Sequence, residues 1–334
     1  MLKKGLYPFL VIVVMASMVL AACATPTPEV IEKVVTQVVK ETVKETVIVE
    51  GTPQVLEKEV TRIVEVEKEV TAAPSKDLLD EVLEAGVLVV STDPNYAPQS
   101  FLNEAGELDG FDVNVAQEVA KRMGVELQFE LPDWDIITAG NWAGRWDVSI
   151  GSMTPTVPRS EVLWFTAPYY FTPASFAVHR DNTTITSPED LTGKKLGLGA
   201  ATTYVDFLND ALVMIGGQVM YDPPPGIEMV EYTTDSEAIQ DLALGDGVRL
   251  DAVMSAQPTI QSAIEEGLPL KYVGSPAFYE PLVFSLDKSR GPSDKMLAKL
   301  NEILAGLHLD GTLTKLSLKW YGVDITKIEW PEVE

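Results

Sequence analysis

From Asp77 onward, short apolar runs of strand length alternate with longer runs of helical spacing. This alternation is the strongest constraint on the fold. It is the pattern of an α/β protein, in which helices cover a sheet built from the intervening strands. Leu78 to Ala85 reads as a helix stopped by Gly86, and Val87 to Val90 as a buried strand. Phe111 to Met123 is predicted helical and ends at Gly124, while Val125 to Leu131 alternates apolar and polar residues as a strand does. Further strands are predicted at Val148–Ile150, Leu196–Leu198 and Asp251–Met254. Further helices are predicted at Thr203–Leu208, Asp235–Leu244, Ser293–Leu307 and Gly311–Trp320. Roughly 255 residues with a break in the middle suit two α/β lobes better than one sheet.

The residues before Asp77 have a different texture. Lys3 and Lys4 precede an apolar run from Leu10 to Leu20, about the length of a signal sequence and short for a membrane span. The run ends in Leu20-Ala21-Ala22-Cys23, which resembles a bacterial lipobox. That resemblance implies a signal peptide over 1–23, a lipid anchor on Cys23, and an extracytoplasmic protein held at the outer face of the cell membrane. An ordinary secretory signal with an incidental cysteine is the alternative. Residues 24–76 are expected to be a low-complexity stalk of Val, Glu, Lys and Thr. Within it Glu32-Lys33-Val34-Val35-Thr36 recurs as Glu57-Lys58-Glu59-Val60-Thr61 and as Glu67-Lys68-Glu69-Val70-Thr71. With no aromatic residue it builds no large core. A solvated spacer is the plain expectation. Val35, Val39, Val43 and Val47 share a helical face, yet the β-branched residues suit strands equally.

The charge is lopsided: 25 Lys and Arg against 50 Asp and Glu, a net of −25. Nearly all of the excess lies from Asp77 on. A net-anionic body repels phosphate backbones, so no nucleic-acid partner is expected. Two histidines and one cysteine exclude Cys/His zinc sites, iron–sulfur clusters, disulfide frameworks and Cys–His catalysis in the folded part. Neither a metal nor a cofactor is expected. Gly197-Leu198-Gly199 lacks the third glycine of a dinucleotide-binding turn.

Several segments in order carry a more specific signal. Thr92-Asp93-Pro94-Asn95-Tyr96-Ala97-Pro98 is followed by Gly106-Glu107-Leu108-Asp109-Gly110-Phe111-Asp112-Val113. Trp134-Asp135 and Arg145-Trp146-Asp147-Val148 come next, then Gly151-Ser152-Met153-Thr154-Pro155-Thr156 with Arg159. Phe165 to Tyr170, Asp190 to Gly197, Ala201 to Tyr204 and Asp310 to Gly322 complete the set. Over about residues 77–327 the chain resembles family-3 extracellular solute-binding proteins, the receptors of polar amino-acid ABC importers. The resemblance implies a periplasmic-binding-protein-like fold: two α/β lobes joined by two hinge crossovers, near Ser175–His179 and Tyr279–Leu286. Lobe 1 would comprise 77–175 plus 284–334, and lobe 2 would comprise 180–278. The implied partners are a small polar solute, expected to be an amino acid, and a membrane permease.

A buried ligand carboxylate needs a bidentate cation and oriented N–H groups. Arg159, in a Pro-bounded loop, supplies the fork, and Thr203 stands where a strand turns into a helix. Ser152 and Thr154 would add a carbonyl and a hydroxyl. Asp93 matches a family position near the ligand, and Tyr96 and Trp134 match aromatic positions that flank the ligand side chain; Trp142, Trp146 and Trp164 read as structural. One departure stands out. Many relatives carry an acid shortly after the strand matching Asp251–Met254, where it pairs with the ligand ammonium; here Ala256 and Gln257 occupy that place. Asp93, Asp133 or Asp135 would substitute, or the ligand lacks an α-amino group. The expectation is binding and not catalysis; a dehydratase-like enzyme on the same fold and a sensory receptor acting through a partner are the alternatives.

Overall fold

The computed structural model describes residues 30–49, 52–71 and 76–327. The 1–23 leader with Cys23, the Thr25–Pro28 linker and residues 328–334 lie outside the described residues. The chain divides into two units, 1–75 and 76–334.

In the first unit, β1 (Val30–Val49) and β2 (Thr52–Thr71) form an antiparallel pair. The register runs from Val30 opposite Thr71 to Val49 opposite Thr52. Val and Thr branch at Cβ, which stiffens χ1 and favours the extended backbone over the helical one.

The second unit begins with α1 (Leu78–Ala85), which leads into β3 (Val87–Ser91). Asp77 caps α1 by accepting from the Leu79 N–H, and Gly86 ends it in the left-handed conformation. A small antiparallel sheet of β4 (Asn95–Tyr96), β5 (Ser100–Leu102) and β6 (Leu108–Asp109) precedes α2 (Phe111–Met123). Then come β7 (Glu126–Glu130), α3 (Trp134–Thr138), β8 (Val148–Met153) and β9 (Leu163–Phe165). β10 (Tyr170–His179) carries the chain into the second lobe. That lobe holds β11 (Lys195–Gly199), α4 (Thr203–Leu208), β12 (Gln218–Val219), β13 (Glu228–Tyr232), α5 (Asp235–Ala243), β14 (Ala252–Ala256) and α6 (Gln257–Glu265). β15 (Leu270–Asp287) returns, and α7 (Asp294–Leu309) and α8 (Thr312–Tyr321) pack on the first lobe. The helices and strands expected from the sequence are present, with bounds shifted by at most two residues except for β8, which runs three residues beyond the expected Val148–Ile150.

One sheet path runs β13-β11-β14-β10-β15-β8-β3-β7. β3 is parallel to β7 and β8, and β11 is parallel to β13 and β14. β10 and β15 pair antiparallel in the middle and belong to both lobes. Ser175, Phe176 and Ala177 already pair with β14 of the second lobe. The first passage between lobes is therefore upstream of the 175–179 stretch suggested by the sequence, around Tyr170–Ala174. The return on β15 switches partner from β10 at Leu282 to β8 at Val283, inside the expected 279–286 range.

Each lobe has its own core. In the first, Phe111, Val115, Val119, Tyr169, Tyr170, Phe284 and Leu304 pack between the sheet and helices α2, α7 and α8. On the opposite face Trp142 and Trp146 stack with Ile137, Met153 and Leu163. Trp164 instead stands 43% exposed under the Lys288 ammonium. In the second lobe, clusters around Phe176–Phe207–Phe278 and around Ile239–Val253–Ile260 cover the two faces of the sheet. Phe111 is fully buried, with its ring against Tyr169, Tyr170 and Tyr321. Phe111→Ala should cost about 3–5 kcal/mol in a denaturant titration; a loss below 1 kcal/mol would show that this cluster does not anchor the lobe.

Candidate functional site

A cavity lies where the lobes meet. Asp93, Tyr96, Trp134, Ser152, Thr154 and Arg159 face it from the first lobe, and Thr203 faces it from the second. The structure thus brings together all seven residues singled out in the sequence. It adds Tyr204 and Asp235 from the second lobe and Glu280 from the crossover strand β15.

Arg159 sits in a short 3-10 turn, Arg159–Glu161, after the Thr154–Pro158 loop. It is 8% exposed. Its Nη1 donates to the Thr154 carbonyl at 2.9 Å and its Nη2 to the Ala201 carbonyl of the other lobe at 2.8 Å. The Trp134 ring lies 5.5 Å from the guanidinium carbon, and the Trp134 indole N–H donates to the same Ala201 carbonyl at 3.2 Å. Among the described residues no carboxylate oxygen comes within 4.0 Å of the Arg159 side chain. Burial pulls its pKa down; Asp206, Glu280 and Tyr204, at longer range, oppose that. Two of five guanidinium N–H groups are thus fixed on backbone oxygens, leaving a charged fork without an ionic partner.

Ser152, the penultimate residue of β8, has φ at 58°, outside the usual range of a residue with a side chain. Three groups of the first-lobe core hold it there. The Tyr169 hydroxyl accepts from its N–H at 3.0 Å, Asp112 accepts from its Oγ at 2.6 Å, and the Tyr170 hydroxyl lies 2.5 Å from that Oγ. Tyr169 also donates to Asp112 at 2.6 Å. Asp112 is in the first turn of α2 and completely buried, and burial pushes its pKa up to about 7.

The acids that line the cavity are not all those named from the sequence. Asp133 and Asp135 are exposed and do not line it; Asp135 accepts instead from the Ile136 N–H. Ala256 ends β14 opposite Ala174, also away from the cavity. Asp93 does line it and accepts from the Asn95 N–H at 2.8 Å, with burial raising its pKa. Asp235 opens α5 and accepts from the Gly199 N–H at 2.9 Å and from Ser255 Oγ at 2.6 Å. A Cβ on Gly199 would stand 2.4 Å from that carboxylate, so only glycine lets the strand approach it. Burial raises Asp235 to about 7. Glu280, 2% exposed, accepts from Thr154 Oγ1 at 2.5 Å and Thr203 Oγ1 at 2.8 Å.

The lobes touch around this cavity. Ser236 Oγ donates to the Asn95 carbonyl at 2.8 Å, the Tyr96 and Tyr204 hydroxyls lie 3.4 Å apart, and the Gln99 amide meets the Thr259 hydroxyl. The space left is about 50 Å³, room for a few waters.

The model of the bacterial extracellular solute-binding proteins, family 3, matches residues 88–323. The chain belongs to this family. It is 31% identical over 263 residues to the L-cystine-binding protein TcyJ of Escherichia coli (strain K12), covering 77% of this chain and 91% of that protein. Among solved structures, a mutant of ArgBP from T. maritima matches with a TM-score of 0.64 at 27% identity, over 73% of this chain and 99% of that one. The ancestral amino acid-binding protein AncCDT-1, a precursor of cyclohexadienyl dehydratase, matches with a TM-score of 0.63 at 29% identity and the same coverage.

In this solute-binding protein the floor of the cleft is tied to a titrating core. Asp112 has a native pKa near 7 against an ordinary 3.8, so between those values the folded chain keeps a proton that the unfolded chain has released. Its contribution to stability is therefore full below about pH 4 and is lost as the pH rises through about 7. Asp112→Asn should flatten that decline: the fall in melting temperature from pH 5 to pH 8 should be smaller than in the parent protein. An unchanged fall would mean that Asp112 is ionised throughout.

Proposed function

We propose that this solute-binding protein captures a small zwitterionic amino acid between its lobes and delivers it to an ABC permease. In the same reading, a lipid on Cys23 holds it at the outer face of the bacterial cell membrane. The observation that carries the reading is the Arg159 guanidinium, buried at the junction of the lobes with no carboxylate partner among the described residues. Burying an unpaired cation costs several kcal/mol, and a ligand carboxylate in the cleft removes that cost by forming a bidentate pair. The relatives support the reading, since they include an L-cystine-binding protein, an arginine-bound ArgBP and an ancestral amino acid-binding protein. The activity is capture and release without turnover.

A thermal-shift screen across the twenty common L-amino acids and L-cystine identifies the solute, since a ligand at 100 times its Kd stabilises by about 2.7 kcal/mol. Arg159→Ala should weaken that ligand at least about a hundredfold, as expected when one partner of a buried pair is removed. The melting temperature without ligand should not fall, since the substitution removes a buried charge that has no ionic partner. Undiminished affinity in isothermal titration would overturn the assignment of Arg159 to the ligand carboxylate. For the anchor, Cys23→Ala should move the protein from the membrane fraction to the soluble extracytoplasmic fraction; retention at the membrane would argue against lipid on Cys23.

A further inference from the structure

Glu280 is the mirror image of Arg159. It is a buried carboxylate that lines the same cavity, and among the described residues no Lys, Arg or His nitrogen lies within 4.0 Å of it. Its partners are neutral hydroxyls: Thr154 from the first lobe at 2.5 Å, Thr203 from the second at 2.8 Å, and Thr172 on the paired strand β10. Burial raises its pKa, and the hydroxyls and the more distant Arg159 charge pull against that rise.

The two unpaired charges share one residue. The Thr154 carbonyl accepts from Arg159, and the Thr154 hydroxyl donates to Glu280. Guanidinium and carboxylate are thereby both bonded to one threonine without forming an ion pair with each other. A ligand with a carboxylate and an ammonium on one carbon offers a group of opposite charge to each. The acid expected after β14 is missing, because Ala256 is neutral and Asp133 and Asp135 are outside the cavity. Asp235 is the less suitable candidate, since both of its oxygens already accept, from Gly199 N–H and Ser255 Oγ.

We infer that Glu280, supplied by the crossover strand β15, receives the ammonium of the ligand and makes the cleft specific for α-amino acids over plain carboxylic acids. The inference rests on the amino-acid reading above. Arg159 fixes one end of the zwitterion, Glu280 the other, and the Thr154 and Thr203 hydroxyls orient the carboxylate toward the cavity.

The test is a ratio of affinities. Each L-amino acid found to bind is titrated calorimetrically beside the acid that has hydrogen in place of its α-amino group: L-arginine with 5-guanidinopentanoate, L-glutamine with glutaramate, L-histidine with imidazolylpropionate, and likewise for others. The parent protein should prefer the amino acid by about a hundredfold or more. Glu280→Gln keeps the shape and removes the charge, so the preference should collapse to less than about tenfold, chiefly by weaker binding of the amino acid. Glu280→Asp keeps the charge and should restore part of the preference, which also covers the case in which Glu280→Gln folds poorly. An undiminished preference in Glu280→Gln, with Arg159→Ala still abolishing binding, overturns the role of Glu280 alone. Failure of the parent protein to bind any of these amino acids overturns the amino-acid reading and the inference with it.

Discussion

The candidate site is organised around a cation that has no carboxylate partner among the described residues. Arg159 reaches from one lobe to a carbonyl of the other, flanked by Trp134, and its charge is met by backbone carbonyls, that ring and more distant acids. Such a group is expensive to keep in a low-dielectric cleft. The fold bears that cost because the rest of the body is anchored elsewhere, in two separate cores that do not depend on the cleft. On the proposed reading, a ligand carboxylate placed between the lobes supplies what the protein withholds.

The cleft floor is rigid for a related reason. Ser152 holds a left-handed backbone only because Tyr169, Tyr170 and Asp112 grip its N–H and hydroxyl from the core. Phe111, next to Asp112 on α2, packs against the same two tyrosines. Core packing therefore sets the direction of a cavity-facing residue, and hydrophobic burial in the first lobe is transmitted to polar geometry at the site.

Much of this was legible in the sequence, and the exceptions have physical reasons. Helix ends at Gly86 and Gly124 could be read because a left-handed terminus needs glycine. Arg159 and Thr203 stand out by local chemistry, in a Pro-bounded loop and at a strand-to-helix turn, whereas Asp93, Tyr96 and Trp134 are pointed to by the family resemblance. Glu280 was missed because it sits in a strand, where alternation records only which face is buried. Its available signal was an acid inside the otherwise apolar run Pro276–Leu286. Asp235 was hidden by its neighbours: Thr234 and Glu237 form a capping box, so the acid beside them looks like ordinary helix-start charge. The Val-rich segment before Asp77 left helix and strand open, because a residue every four positions fits a helix while β-branching fits a strand. The position of the first lobe crossing depended on which partner β10 chooses, a long-range property that no local pattern encodes.

The paired strands β10 and β15 stay zipped from Tyr170–Leu282 to His179–Leu270, with one slip in register between Ala174 and Phe176. Two strands bonded along such a length join the lobes through one continuous ladder. Glu280 stands on this spine, opposite Thr172 and close to the slip. Arg159 belongs to one lobe and Thr203 to the other, and the carboxylate stands on a strand that pairs with both lobes. On the proposed reading, the ammonium of the solute meets the one wall of the cleft that the two lobes hold in common.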